Sequence, residues 1–390
     1  MRVLWVAAAA AMAIGCGGSG GGNPDGGGGG GSVQFTASGE VLALGGYAFP
    51  PATAGDPDFV DGWEVHFTKL IAVFDKVTLS ATPDASPTDQ SQTGKLVAEI
   101  DGPWAIDLHQ GGPLKGKGGN NEQAYPIEMI ANQNQNGGAP FDPTMRYAFG
   151  FDSVAATASA KLINIAAGDS DYAEMVQKGW NVLYVGTATW KGGAAGVTCK
   201  STNAAFDFSK IPTTVNFRLG FSTATSYVNC QNPDNDPAQG LGGEKHQRGV
   251  QVLQNQQAIA QVTFHTDRPF WESFAHDTPA HFDQLASLAQ KQSDGSYLLT
   301  VDNVKGVDYT AFKDPAGNPL PWRACEASYM PPNASMQMGF DSLSVPRNPS
   351  GDPATVMRDY YDYMRYDQST QGHLNSDGLC YVKRHYPSPQ

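Results

Sequence analysis

Basic side chains are scarce in this 390-residue chain: 25 Lys and Arg stand against 38 Asp and Glu, a formal charge of −13 at pH 7. No segment gathers the basic residues into a cluster. Phosphate backbones are bound by clustered Lys and Arg, so nucleic acid is excluded as a partner. Charge of either sign is low, at 16% of residues, whereas there are 45 glycines and 26 prolines. That balance disfavours a helical bundle, whose wet faces are rich in Lys and Glu, and favours strands joined by turns. Catalytic signatures are missing from the body of the chain. There is no Gly-x-Ser-x-Gly elbow, no His-Glu-x-x-His, no Gly-Lys-Ser/Thr phosphate loop and no Cys-x-x-Cys-His. Cys-x-x-Cys is absent too, which removes zinc-ribbon and thioredoxin readings.

Long apolar runs are lacking except at the start. Arg2 precedes an apolar stretch from Val3 to Ala13, the length of a signal-peptide core and too short to span a bilayer. It ends in Ala13-Ile14-Gly15-Cys16, which resembles the bacterial lipobox, with Ala13 where Leu is usual. The resemblance implies cleavage of residues 1–15 and a diacylglycerol on the sulfur of Cys16. Acyl chains are then the expected membrane anchor. Gly17, a residue other than Asp after the acylated Cys, points in the enterobacterial sorting pattern to the outer membrane. Residues 16–32 are nearly all Gly and Ser, a composition that behaves as a flexible tether.

Four cysteines remain: Cys199, Cys230, Cys325 and Cys380. An even number in an exported chain suggests two disulfides, with three connectivities possible. Proximity along the chain favours Cys199–Cys230 and Cys325–Cys380.

From Val33 to residue 390 the chain reads as one β-rich body. Apolar and polar residues alternate in short runs, broken by Gly, Pro, Asn and Asp. Trp63 to Leu79 is a long candidate strand bent near Lys69–Leu70, with Trp63, Val65 and Phe67 on one face. Leu96–Ile100 and Trp104–His109 flank the turn signal Asp101-Gly-Pro103. Strands are also expected at 145–154, 180–190, 215–221, 258–265 and 297–304. Asp169 and Gly179 have the chemistry to open and close a short helix. Thr278-Pro279 and Asp352-Pro353 suit two further helix starts. With no βαβ rhythm, the expected fold is mainly β: an antiparallel β-sandwich with long loops and a few short helices.

The densest chemistry lies between Val262 and Leu288, which holds three of the eight histidines among acidic and aromatic residues. His265, Asp267, His276 and His281 form a candidate metal set, because imidazoles with a carboxylate suit zinc or copper. Their spacing matches no compact metal motif, and caps or surface hydrogen bonds account for the same histidines. His66, His109, His373 and His385 carry no assignment. Asn232-Pro-Asp234-Asn235-Asp236 offers oxygen ligands of the kind calcium takes, without the spacing of the twelve-residue calcium loop. Three functional readings follow: a lipid-anchored extracytoplasmic protein that binds a ligand or transition metal, a structural or interaction lipoprotein of the outer membrane, and a metal- or carboxylate-dependent hydrolase. The missing catalytic signatures put the enzyme reading last.

Overall fold

The computed structural model describes residues 30–386 apart from 53–59, 120, 202–204, 236–239, 273, 275, 277–279, 326–347 and 349. The signal sequence, Cys16, most of the tether, Asp236 and the expected helix start at Thr278-Pro279 lie outside the described residues. Among the described residues no helix is long and apolar enough to cross a membrane.

Strands run in chain order as follows. The first group is β1 (Ser32–Ser38), β2 (Trp63–Ser80), β3 (Leu96–Ile100), β4 (Trp104–Asp107), β5 (Leu114–Lys115), β6 (Gln123–Ile130), β7 (Arg146–Ser153) and β8 (Lys161–Ile163). Next come β9 (Val182–Trp190), β10 (Lys200–Ser201), β11 (Thr214–Phe221), β12 (Thr225–Val228), β13 (Val250–Gln251) and β14 (Gln257–Phe264). The last are β15 (Gln290–Lys291), β16 (Tyr297–Thr300), β17 (Arg323–Ala324), β18 (Gly372–Leu374), β19 (Gly378–Leu379) and β20 (Tyr381–Arg384). Four α-helices accompany them: α1 (Glu40–Gly45), α2 (Ser170–Lys178), α3 (Asp283–Leu288) and α4 (Tyr360–Gln368).

The smaller sheet has the order β19-β18-β14-β1-β6-β5. The larger runs β15-β16-β11-β9-β2-β7-β12-β20, with β3 and β4 also hydrogen-bonded to β2. Pairing is mainly antiparallel, but β1–β14, β4–β8 and β11–β16 are parallel. The sheets bury their apolar faces against each other as a sandwich: Phe74 of β2 lies 4.8 Å from Phe264 of β14, and Phe35 of β1 lies 6.1 Å from Phe149 of β7. Aromatic pairs in such geometries add about 0.5–1.5 kcal/mol each beyond their buried area. Helix α2 covers the outer face, where Met175 and Tyr172 pack on Ile71, Val73 and Leu183.

Strand β2 behaves as its alternation predicts. Trp63, Val65 and Phe67 are buried, His66 and Thr68 are exposed, and the register against β9 slips between Phe67 and Lys69. The slip adds a residue to one strand, the usual origin of a bend. The Asp101-Gly-Pro103 turn does not make a hairpin. β3 and β4 instead pair successively with β2, and the Asp75 Oδ1 accepts the Gly102 N–H at 2.7 Å.

Two expected elements are shorter or split. The 297–304 strand stops at Thr300, because Asn303 Oδ1 accepts the Thr300 N–H and starts a 3₁₀ turn over Val301–Val304. The segment after Asp352 is a 3₁₀ turn (Pro353–Thr355) followed by α4, since Asp359 caps a new helix through the Asp362 N–H. Residues 370–380 contain the β18–β19 hairpin.

The disulfides correct the pairing by proximity. Cys199 joins Cys325 and Cys230 joins Cys380. Each bridge extends a non-local strand pair. β10 aligns with β17 with Lys200 opposite Ala324, and β12 aligns with β20 with Val228 opposite Tyr381. Sheet pairing, not chain distance, therefore chooses the partners. Peptide mapping without reduction is expected to recover these two linkages and no Cys199–Cys230 peptide. Replacing both Cys230 and Cys380 by Ser is expected to cost about 2–5 kcal/mol in chemical denaturation.

Asp169 gives a second expectation. Its carboxylate caps α2 by accepting the Asp171 and Tyr172 N–H groups and it pairs with Lys69. Burial alone would raise its pKa, but the Lys69 ammonium and the capped N–H hold it below the usual value of 3.8. A depressed carboxylate stabilises the fold above its unfolded pKa, and that stability is lost as pH falls through the folded value. Asp169→Ala should therefore lower stability by about 1–2 kcal/mol at pH 7, and the deficit should shrink as the medium is acidified below pH ~4.

Candidate functional site

Three adjacent strands of the smaller sheet end in a row of ionisable side chains. β1 and β14 run parallel with Ser38 opposite Thr263, so Glu40 and His265 leave the sheet side by side two residues later. β14 and β18 run antiparallel with Thr263 opposite His373. Side chains alternate with period two, which sets His265 and His373 as diagonal neighbours on one face. The result is the row Glu40–His265–His373. Glu40 Oε2 is 3.1 Å from His265 Nδ1, and His265 Nε2 is 2.6 Å from His373 Nδ1.

A carboxylate only accepts hydrogen bonds, so His265 presents its Nδ1–H to Glu40 and turns its Nε2 towards His373. At 2.6 Å the facing nitrogens share at most one proton. His373 is held neutral: burial, then the neighbouring His265 and Arg268, push its pKa well below 6.5. A neutral imidazole is the form that ligates metals.

Beside this pair lies a second polar group. Arg268, 5% exposed, contacts the His276 ring through Nη1, and His276 Nε2 is 3.0 Å from Asp367 Oδ1. His276 sits in a left-handed conformation, φ 52°. Asp267 lies 3.6 Å from the Arg268 Nη1 and accepts the Trp271 Nε1–H at 2.7 Å. Burial favours the protonated form of Asp267, but Arg268, His265 and His276 outweigh it and its pKa is lowered. Tyr184 donates to Gln368 and lies among the same charges. Desolvation, together with Asp267 and Asp367, keeps its phenol protonated. Several polar atoms in this group have no hydrogen-bond partner: Asp267 Oδ1, Arg268 Nε, Asp367 Oδ2 and the amide nitrogens of Gln368 and Gln371. Buried polar groups are normally satisfied by protein or by water, so these atoms have capacity for a water or a ligand.

The group opens into a cleft of about 540 Å³. Its lining includes Arg268, His276, Asp367, His373, Arg384 and Phe274, together with Cys380 of the second disulfide.

The four candidate ligands read from the sequence do not surround one point. His265 pairs with Glu40 and His373, Asp267 with Arg268 and Trp271, and His276 with Arg268 and Asp367. His281 lies apart. Its Nδ1 is 3.0 Å from Glu272 Oε2, its Nε2 is 3.6 Å from Asp61 Oδ2, and its ring rests 4.0 Å from Trp322. Among the described residues no three His, Cys, Asp or Glu side chains are arranged to hold one metal ion. The calcium candidate is likewise committed elsewhere. Asn232 Oδ1 and Asp234 Oδ2 both accept from Asn375 Nδ2, and Asp234 also pairs with Lys117 at 2.6 Å. His66 lies by Glu64, His109 by Asp107, and His385 by Ser226.

Glu40 and His373 were not assigned from sequence. They reach His265 across 225 and 108 residues through strand pairing alone. The only local signal was the histidine directly after β14, His265.

Compared with known proteins, the chain matches no family model, no curated protein and no solved structure.

Proposed function

We propose that the protein is a lipid-anchored, extracytoplasmic binding protein that holds a transition metal, zinc or copper, between His265 and His373. The observation that carries this reading is the approach of His265 Nε2 to His373 Nδ1 at 2.6 Å, with Glu40 behind His265. Metal-bound histidines commonly donate their second N–H to a carboxylate, which fixes the tautomer and raises ligand basicity. Glu40 has that position. Ligand nitrogens about 2.0–2.1 Å from a tetrahedral ion stand about 3.3 Å apart, so the rings need to open by less than about 1 Å. The two disulfides support an oxidising compartment outside the cytoplasm, and the lipobox-like start supports an acyl anchor in the outer membrane.

Protein purified without an affinity tag and reconstituted with zinc or copper is expected to hold about one equivalent by elemental analysis. His265→Ala and His373→Ala should abolish this binding, and Glu40→Gln should weaken it about 10–100-fold. His281→Ala should leave it unchanged. A wild-type protein that takes up neither metal would overturn the proposal and favour a structural lipoprotein. The anchor is tested separately: Cys16→Ser should move the protein from the membrane to the soluble fraction, and a variant that stays membrane-bound would refute lipidation at Cys16.

A further inference from the structure

We infer that the cleft beside the histidine pair is a binding site for a small organic acid, with the carboxylate on Arg268 and Arg384 and the apolar body against Phe274 and Tyr366. The volume is the first observation. A metal ion with about six waters, at about 30 Å³ each, fills well under half of the 540 Å³ available. Clefts of this size typically take small molecules.

Charge is the second. In a chain with a formal charge of −13, the cleft is lined by two guanidiniums against one carboxylate, Asp367. Both guanidiniums line this one cleft.

The third is the state of the arginines. Arg268 is 5% exposed, and its buried Nε–H meets no acceptor among the described residues. A buried donor left without a partner carries a desolvation cost that an anionic acceptor would remove. Arg384 donates from Nε to Ser369 Oγ at 2.7 Å, stacks 4.4 Å over the Tyr366 ring and also meets the Tyr386 side chain. A planar guanidinium anchored in this way presents its fork of Nη N–H groups in a fixed direction, the arrangement that suits a carboxylate. Phe274 lies 4.7 Å from Tyr366, and Leu379 and Val382 continue the apolar lining. The proposal does not rest on a metal between His265 and His373.

The test is calorimetric titration of the full mature chain in detergent, stripped of metal with EDTA and dialysed. Benzoate serves as the probe, and benzamide as the uncharged molecule of the same shape. Benzoate is expected to bind saturably and benzamide at least about tenfold more weakly, as loss of a charge-assisted hydrogen bond implies. Arg384→Gln, on a partly exposed side chain, should weaken benzoate about tenfold. Arg268→Lys should do the same while the circular dichroism of the fold is retained. His265→Ala should abolish metal uptake and leave benzoate affinity unchanged, which separates the two sites. Failure of benzoate to saturate, equal binding of benzamide, or wild-type affinity in Arg384→Gln would each overturn the inference.

Discussion

Strand β14 is hydrogen-bonded along both edges, parallel to β1 and antiparallel to β18, and the chemistry of the molecule follows from that double pairing. Its inward face, Ala260, Val262 and Phe264, is closed in the aromatic core between the sheets. That burial fixes the register, since a slip of one residue would turn the apolar set to solvent. Once the register is fixed, the position of every side chain at the end of the strand is fixed as well. His265 then has Glu40 on one flank and His373 on the other. The site is therefore as rigid as the core beneath it, although it lies at the margin of the sheet.

What could be read along the chain was whatever depends on neighbours in sequence. The alternation of β2, the bend near Lys69, and the Asp169 and Gly179 ends of α2 are local signals, and each has its expected counterpart in the structure. Disulfide partners and the histidine row depend on which distant strands align. Chain proximity carries no information about that alignment, which is why it misassigned the cysteines and left Glu40 and His373 without a role. The split after Asp352 has a different origin. Two aspartates seven residues apart, Asp352 and Asp359, both have cap chemistry, and the second captures the helix. The mixture of parallel and antiparallel pairs was likewise invisible, because alternation reports burial of a face and not strand direction.

Burying Arg268 with Asp267 and Asp367 is costly, since desolvation of a charge is repaid only by good geometry and full hydrogen bonding. Here the geometry is partial. Asp267 stands 3.6 Å from the guanidinium, Asp367 reaches it through His276, and five polar atoms of the group lack partners. Arg248 offers a contrast inside the same protein. It is equally buried, yet it is gripped by both oxygens of Glu244 and by the carbonyls of Pro83 and Ser86. A guanidinium serving stability alone is saturated in that manner. The incomplete saturation of Arg268 is consistent with a position reserved for a ligand.

The same contrast separates the histidines. The ring of His281 lies between carboxylates, with Nδ1 on Glu272 and Nε2 facing Asp61, while Glu272 also accepts the His281 backbone N–H. Each ring nitrogen of His281 thus faces a carboxylate rather than a second imidazole. Asp61 in turn accepts the Cys325 N–H, so this cluster ties the first disulfide to the loop before α3. His265 and His373 instead set nitrogen against nitrogen. Two imidazole nitrogens that face each other must surrender at least one proton between them, and the lone pair thereby exposed is directed at its neighbour. A cation placed between them would use both lone pairs and relieve the close approach. His281, inside the histidine-rich segment, thus acts as a structural pin, and His373, outside it, completes the pair that can do chemistry.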